Sequence, residues 1–363
     1  MRKRICGPVL IALLLSAALL QACGGNKDQT DTKSTPTPAV VSDPSTPGPY
    51  PVGVTEVTFT TTSLTTGQPR VLKTVVWYPA AASAKDAAID EAVGGARDAE
   101  PAREAGPRPI IVWSHGAAGE YPYAFPYNAS HLAGYGFVVI APPHPGNLFA
   151  DCFTITGCST EGMTDSYINR PADLTFTLDS MLKLSDNPDS LFYQLLDGSR
   201  VGISGHSFGG TDTVRMADTA PGAPFSAALA MAPCVDQVAP PPDKVTMPLM
   251  ILGGDRDMRC PTSFLQPFFD GISKSLAHFF VVFPQGGHGA YFQECPAPQP
   301  PSPLSEYACG PDDLSQDKAH QYINFYATAF FMTYVAQVDG YAAFLAPSAN
   351  TGDPDVRYSA VVP

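Results

Sequence analysis

The stretch "VGISGHSFGG", residues 201–210, decides how this chain is read. Val201–Ser204 is short and apolar, which predicts a buried strand. Gly205 and Gly209 then flank one serine, Ser207, where the strand stops, and a helical pattern follows from Gly209 to Ala217. A G-x-S-x-G pentapeptide by itself is weak evidence. Between a strand and a helix it has the setting of a nucleophile elbow, a strained turn in which side chains two residues either side of the serine would collide. Glycine at 205 and 209 removes that collision and leaves the Ser207 hydroxyl standing above the end of the strand.

Outward from this stretch, strands alternate with helices. Val54–Phe59 and Val71–Trp77 are β-branched runs separated by a polar Thr/Gly segment and predict a hairpin. Pro109–Ser114, Phe137–Ala141, Phe225–Met231 and Met247–Leu252 predict further strands, with Phe279–Phe283 as the last. Pro171 is expected to open a helix with Asp173 in its first turn, and Leu174, Leu178, Met181 and Leu182 give that helix one apolar face. Ser263–Ser273 is a further helix, and Ser315–Val338 is expected to end the domain. Residues 80–108, rich in Ala, Asp, Glu and Arg, read as a solvated surface insertion of low order. The expected fold class is α/β, a mostly parallel sheet with helices on both faces. Ligands in such sheets bind at the carboxyl ends of the strands.

That rule sorts the candidate chemistry. A serine hydroxyl needs a base, and the base needs an orienting acid. Three histidines follow Ser207. His278 stands at the start of a strand, the wrong end of the sheet, and His320 on the terminal helix. His288 follows "HFFVVF" in the glycine loop "PQGGHGA" and is the expected base. Of the acids after the Met247–Leu252 strand, Asp257 is favoured, because Asp255 suits the Gly-Asp turn or a pair with Arg256. Asp236 is the third candidate. The oxyanion of an acyl-transfer transition state needs two N–H donors. Phe208, next after the serine, supplies one, and Ala117 in "WSHGAAG" the other, with His115 supporting that loop by hydrogen bonding. His144 suits a loop-structuring role. Tyr121, Tyr123 and Phe125 suit either an acyl pocket or packing.

The elbow, the His115-Gly116 loop, Asp257 four residues before Pro261, and Gly286-Gly287-His288 resemble the serine esterase branch of the α/β-hydrolases. "PPHPGN" (142–147), "NRPADLTFTLDSML" (169–182) and "INFYATAFFMTYV" (323–335) make the chain similar to platelet-activating factor acetylhydrolase-like and dienelactone hydrolase-like proteins. The resemblance covers about residues 55–345 and implies an α/β-hydrolase fold. It also implies ester hydrolysis through an acyl-enzyme on Ser207, on short-acyl lipid esters, with no metal or organic cofactor. Dienelactone hydrolases proper use a cysteine where this chain has Ser207. Polyester-degrading cutinase-like enzymes share the elbow and the Asp-x-x-x-Pro pattern but usually carry an aromatic where Ala117 stands, so that reading ranks second. A non-catalytic surface-binding protein of the same fold is the rival from another class.

The ends and the composition add context. Arg2, Lys3 and Arg4 precede an apolar run from Val9 to Leu20, and "LLQACGG" (19–25) resembles a bacterial lipoprotein signal, in which Cys23 is lipidated. Residues 1–22 are then the signal, 23–51 a Pro-rich tether, and 52–363 the catalytic domain; the protein is expected in the cell envelope, held to a membrane through Cys23. Loss of the signal takes the net charge from −13 to −16, unsuited to nucleic-acid binding. Of the 15 ways to pair the six remaining cysteines, loop length and topology favour Cys152–Cys158, Cys234–Cys260 and Cys295–Cys309. The last bridge would close a Pro-rich loop beyond His288. No CxxC or HxxxH spacing suggests a metal site.

Overall fold

Alternation along each strand divides the interior into two cores. Ile111 and Trp113 face one side of the sheet while Ile110 and Val112 face the other, and Val281 and Val282 part in the same way. A strand that is apolar on both faces must be covered on both, so helices pack above and below the sheet. The computed structural model describes residues 41–104, 106–119, 125–152, 158–217, 224–294, 309, 313–347 and 353–363.

The strands in chain order are β1 (Val52–Thr62), β2 (Pro69–Pro79), β3 (Ala96–Arg97), β4 (Arg108–Ser114), β5 (Val138–Ala141), β6 (Leu196–His206), β7 (Ala227–Met231), β8 (Leu249–Gly254), β9 (His278–Phe283) and β10 (Arg357–Val361). Their spatial order is β10-β9-β8-β7-β6-β4-β5-β2-β1-β3. The stretch from β5 through β9 is parallel, and the β1–β2 hairpin and β10 add antiparallel edges. The helices are α1 (Pro126–Gly134), α2 (Phe149–Cys152), α3 (Thr160–Asp186), α4 (Phe208–Arg215), α5 (Val235–Val238), α6 (Thr262–Asp270) and α7 (Gln316–Tyr334). Helices α1 and α7 pack on one face of the sheet, and α3, α4 and α6 on the other. The fold class is the expected one.

Four expectations need correction. Pro171 does not open a helix but lies inside α3, which starts at Thr160 with the Ser159 hydroxyl accepting from the Gly162 N–H at 3.0 Å. Proline cannot donate to the carbonyl four residues back, here that of Tyr167. Arg215 on α4 donates to this oxygen at 3.1 Å, which lets the helix run through. Second, Phe279–Phe283 is not the last strand and the long helix does not end the domain, because β10 pairs with β9 beyond it. Third, the segment 80–108 is anchored: β3 pairs with β1, Val93 and Ala102 are buried, and the Trp77 indole N–H donates to the Val93 carbonyl at 2.5 Å. Fourth, the end of the expected tether docks on the domain: the Tyr135 hydroxyl donates to Asp43 O at 2.7 Å, and Tyr50 N–H to Gly134 O at 3.1 Å. The signal, Cys23, Tyr121, Tyr123 and the Pro-rich loop 296–304 lie outside the described residues.

Candidate active site

Ser207 sits between the end of β6 and the start of α4 with φ 56° and ψ −119°, a conformation that a side chain tolerates only under compulsion. The compulsion comes from its neighbours. A Cβ on Gly205 would strike the Gly209 carbonyl, and one on Gly209 the Ser114 carbonyl, so both glycines are required for the turn to close. Ser207 N–H donates to Met231 O at the end of β7 (2.9 Å), and its own carbonyl accepts from Thr211 N–H (2.9 Å).

The strands bring Asp257 and His288 to this serine. Ser207 Oγ lies 2.9 Å from His288 Nε2, and His288 Nδ1 lies 2.8 Å from Asp257 Oδ2. All three side chains are buried or nearly so. The other Asp257 oxygen, Oδ1, accepts from Arg259 N–H and Cys260 N–H, each at 2.8 Å. These bonds turn the carboxylate so that its remaining oxygen meets the imidazole, which fixes a tautomer with Nδ1–H toward Asp257 and an Nε2 lone pair toward Ser207.

The competing residues fall elsewhere. Asp255 and Asp236 are exposed. Arg256 pairs with Asp313 at 2.8 Å and not with Asp255. His278 stands at the opposite end of β9 beside Ser275 O. His320 bonds the Phe292 carbonyl at 2.7 Å and stacks on Tyr127.

Phe208 opens α4, so its N–H is among the first-turn donors that a helix cannot pair internally. Ala117 follows β4 and lines a cleft of about 710 Å³ together with Ser207, Phe208, Tyr167, Met163 and Met258. His115 supports this loop as expected: its Nδ1–H donates to Gly116 O at 2.7 Å and its Nε2 accepts from His144 N–H at 2.9 Å. His144 is fully buried, with Nε2 3.0 Å from Ser114 Oγ and Nδ1 3.1 Å from Asp173, so it braces the loop and does not face the cleft. Burial first, then Arg170 and Arg70, push the His144 imidazole well below its ordinary range, so the contact with Asp173 is a hydrogen bond between a neutral ring and a carboxylate. Phe125 packs between Trp113 and His206 behind the site.

The disulfides Cys152–Cys158 and Cys234–Cys260 are formed, and Cys158 and Cys234 line the cleft. Cys309 is disulfide-bonded, and its expected partner Cys295 lies outside the described residues. One feature went unforeseen: two largely buried ion-pair groups, Arg70 with Asp165 and Asp173, and Asp212 with Arg170 and Arg215. Its signal is in the sequence, since Arg170 stands four residues before Leu174 and therefore on the apolar face of its helix.

The structure of a ferulic acid esterase from Streptomyces cinnamoneus overlays with a TM-score of 0.66 at 21% identity, covering 86% of this chain and 98% of that one. The chain has the α/β-hydrolase fold. Residues 144–297 of the chain match the PET hydrolase-like family. Cutinase est1 of Thermobifida alba is 23% identical over 229 residues, 60% of this chain and 67% of that protein. Cutinase 2 of Thermobifida cellulosilytica is 25% identical over 167 residues, 43% of this chain and 61% of that protein. A bis(hydroxyethyl) terephthalate hydrolase of Streptomyces coelicolor is 29% identical over 133 residues, 32% of this chain and 41% of that protein. These relatives are cutinase-like, the reading that the motifs ranked second.

Proposed function

We propose that this α/β-hydrolase is a serine carboxylic ester hydrolase of cutinase-like type, cleaving polyester or related esters through an acyl-enzyme on Ser207. The observation that carries the mechanism is the continuous Ser207–His288–Asp257 hydrogen-bond chain, 2.9 and 2.8 Å, on the wall of an open cleft. His288 Nε2 takes the Ser207 proton as Oγ attacks the ester carbonyl. The oxyanion is received by the N–H groups of Phe208 and Ala117, each such donor worth about 3–4 kcal/mol at the transition state. The imidazolium, held by Asp257, then protonates the leaving alkoxide oxygen. Water, deprotonated by His288, attacks the acyl-enzyme and releases the acid and the free serine. No step requires a metal or an organic cofactor.

The PET hydrolase-like match and the cutinase and terephthalate-ester relatives support the cutinase-like substrate class over short-acyl lipid esters. The cleft suits it, pairing apolar Met163, Tyr167, Phe208 and Met258 with the hydroxyls of Thr160 and Thr164. The resemblance of residues 1–22 and Cys23 to a lipoprotein signal, with the disulfides, supports an exported, envelope-anchored enzyme.

The test is an ester panel from p-nitrophenyl acetate to long acyl esters, a platelet-activating-factor-type phospholipid and an aliphatic–aromatic polyester film, with Ser207→Ala as control. Polyester turnover above phospholipid turnover is expected, with kcat falling about 10⁴–10⁶-fold in the control. Equal hydrolysis by Ser207→Ala would discard the mechanism. Phospholipid preference would discard the substrate class and keep the mechanism.

A further inference from the structure

Arg170 is fully buried, yet it is bonded to the backbone on which the candidate oxyanion donors are mounted. Its Nη1 donates to His115 O at 2.7 Å and to Asp212 Oδ2 at 2.9 Å, and lies 3.3 Å from Ser114 Oγ; Nη2 donates to Gly116 O at 3.3 Å. The carbon of the guanidinium lies 4.3 Å from the centroid of the Phe208 ring. We propose that Arg170 is a positioning residue that sets both oxyanion donors at once, aiming the Ala117 N–H through the Gly116 carbonyl and fixing Phe208 through its ring. The inference rests on the ester-hydrolase reading and adds a residue to it.

The argument for Ala117 is peptide geometry. The Gly116 carbonyl and the Ala117 N–H belong to one trans planar unit and point in opposite directions. Gly116 O is held from behind by Arg170, by His115 Nδ1–H at 2.7 Å and by Gly119 N–H at 3.2 Å. An anchored carbonyl fixes the direction of the N–H on the far side of the same plane, and Ala117 stands on the cleft wall.

The argument for Phe208 is a closed stack. Arg215 lies over the Tyr167 ring at 4.1 Å, Tyr167 stacks on Phe208 with ring centroids 5.9 Å apart, and Phe208 lies under Arg170. Asp212, one turn along α4 from Phe208, closes the circuit by pairing with Arg170 through Oδ2 and with Arg215 through Oδ1. Arg170 and Asp212 have no exposed side-chain surface, so each charge depends on the other. Only a planar fork can reach two carbonyls, a carboxylate and an aromatic face together; a lysine ammonium at the same place can hold the carboxylate but not the rest.

The experiment compares wild type with Arg170→Lys and Phe208→Leu. Arg170→Lys keeps the charge for Asp212, and Phe208→Leu keeps the backbone donor while removing the ring Arg170 holds. Each is measured for kcat and KM on p-nitrophenyl butyrate, for Tm, and for the Ki of an alkyl boronic acid, whose boron accepts the Ser207 oxygen and forms a tetrahedral anion. Misaimed donors lower kcat and weaken boronate binding by a common factor, about 10–100-fold for Arg170→Lys with KM within about twofold, and about 3–10-fold for Phe208→Leu, where KM also reports the loss of a cleft-lining ring. A merely structural arginine would lower Tm and leave kcat and Ki alone. Wild-type kcat and Ki in either folded variant would overturn the proposal. Should Arg170→Lys not fold, Phe208→Leu decides alone. If wild type itself neither hydrolyses the ester nor binds the boronate, the underlying function reading fails instead.

Discussion

Three buried histidines make the fold acid-sensitive in a calculable way. His115, His144 and His206 are at most 1% exposed, and burial, the largest cause in each case, pushes their imidazoles well below the ordinary value of 6.5. The unfolded chain binds protons at these rings below pH 6.5 and the folded chain does not, so stability is whole above about 6.5 and is lost as pH falls beneath it. Each ring contributes at most RT ln(1 + 10^(6.5 − pH)), next to nothing at pH 7.5 and on the order of 1 kcal/mol at pH 5.5. The three together remove up to a few kcal/mol, a sizeable part of an ordinary stability of about 5–15 kcal/mol. His131, His278 and His320, also pushed down by burial, add to the loss. Asp173 and Asp212, pushed up by burial, act in the opposite sense, though each carboxylate accepts from a buried arginine that favours its charge. The assay is urea unfolding at pH 7.5 and 5.5 with the disulfides oxidised. His206→Phe apportions the effect: the His206 ring packs on Phe125 and Tyr291, which a phenylalanine ring can also do, and its polar neighbour is the His288 backbone. The variant should lose less stability than wild type between the two pH values, by on the order of 1 kcal/mol. Equal stability at both pH values, or an undiminished loss in His206→Phe, would refute the reasoning.

Gly209→Ala drives a Cβ into the Ser114 carbonyl, where no flexible side chain can give way, so it should abolish fluorophosphonate labelling of Ser207 or the folded yield. Gly67→Ala, at φ 68° in open space, should cost only about 1–2 kcal/mol and keep full labelling. Cys234→Ser with Cys260→Ser opens a loop of sequence separation 26, which should lower stability by about 3–4 kcal/mol in denaturant titrations. Because Cys260 N–H also holds Asp257, the same pair should lower kcat more than KM rises.

What the sequence made legible was local or fixed by topology. The elbow is a clash between residues close in the chain, the choice of His288 followed from which ends of the strands face the same way, and that of Asp257 from the turn that Asp255 suits. What stayed hidden depended on distant partners. Pro171 read as a helix start because a proline inside a helix orphans a carbonyl, and only the fold shows that Arg215 supplies the missing donor. The place of Arg170 on an apolar helix face was legible, but its partners His115, Gly116 and Asp212 come from other elements and were not. β10 alternates exposed and half-buried positions at the sheet edge and carries too little apolar character to announce itself.

The three loops that carry Ser207, Asp257 and His288 are not independent, and this bears on how precisely the site is held. Hydrogen bonding continues from strand to strand beyond the ends of the sheet: Ser207 N–H to Met231 O (2.9 Å), Ala232 N–H to Leu252 O (2.7 Å) and Asp255 N–H to Phe283 O (3.2 Å). Arg256 N–H then reaches Gly286 O at 2.9 Å, and Gly254 packs so closely on the Gly286 carbonyl that no Cβ could intervene. The loop after β7, which carries no member of the chain Ser207–His288–Asp257, is tied to the acid loop by Cys234–Cys260 and to α4 by Cys234 N–H donating to Thr211 Oγ1 at 3.0 Å. A shift of any one loop must therefore break a bond to the next. Groups held by the register of a sheet keep their geometry better than groups on free loops, and this lets a cleft as open as this one hold a reacting serine, base and acid within hydrogen-bond distance before any ester arrives.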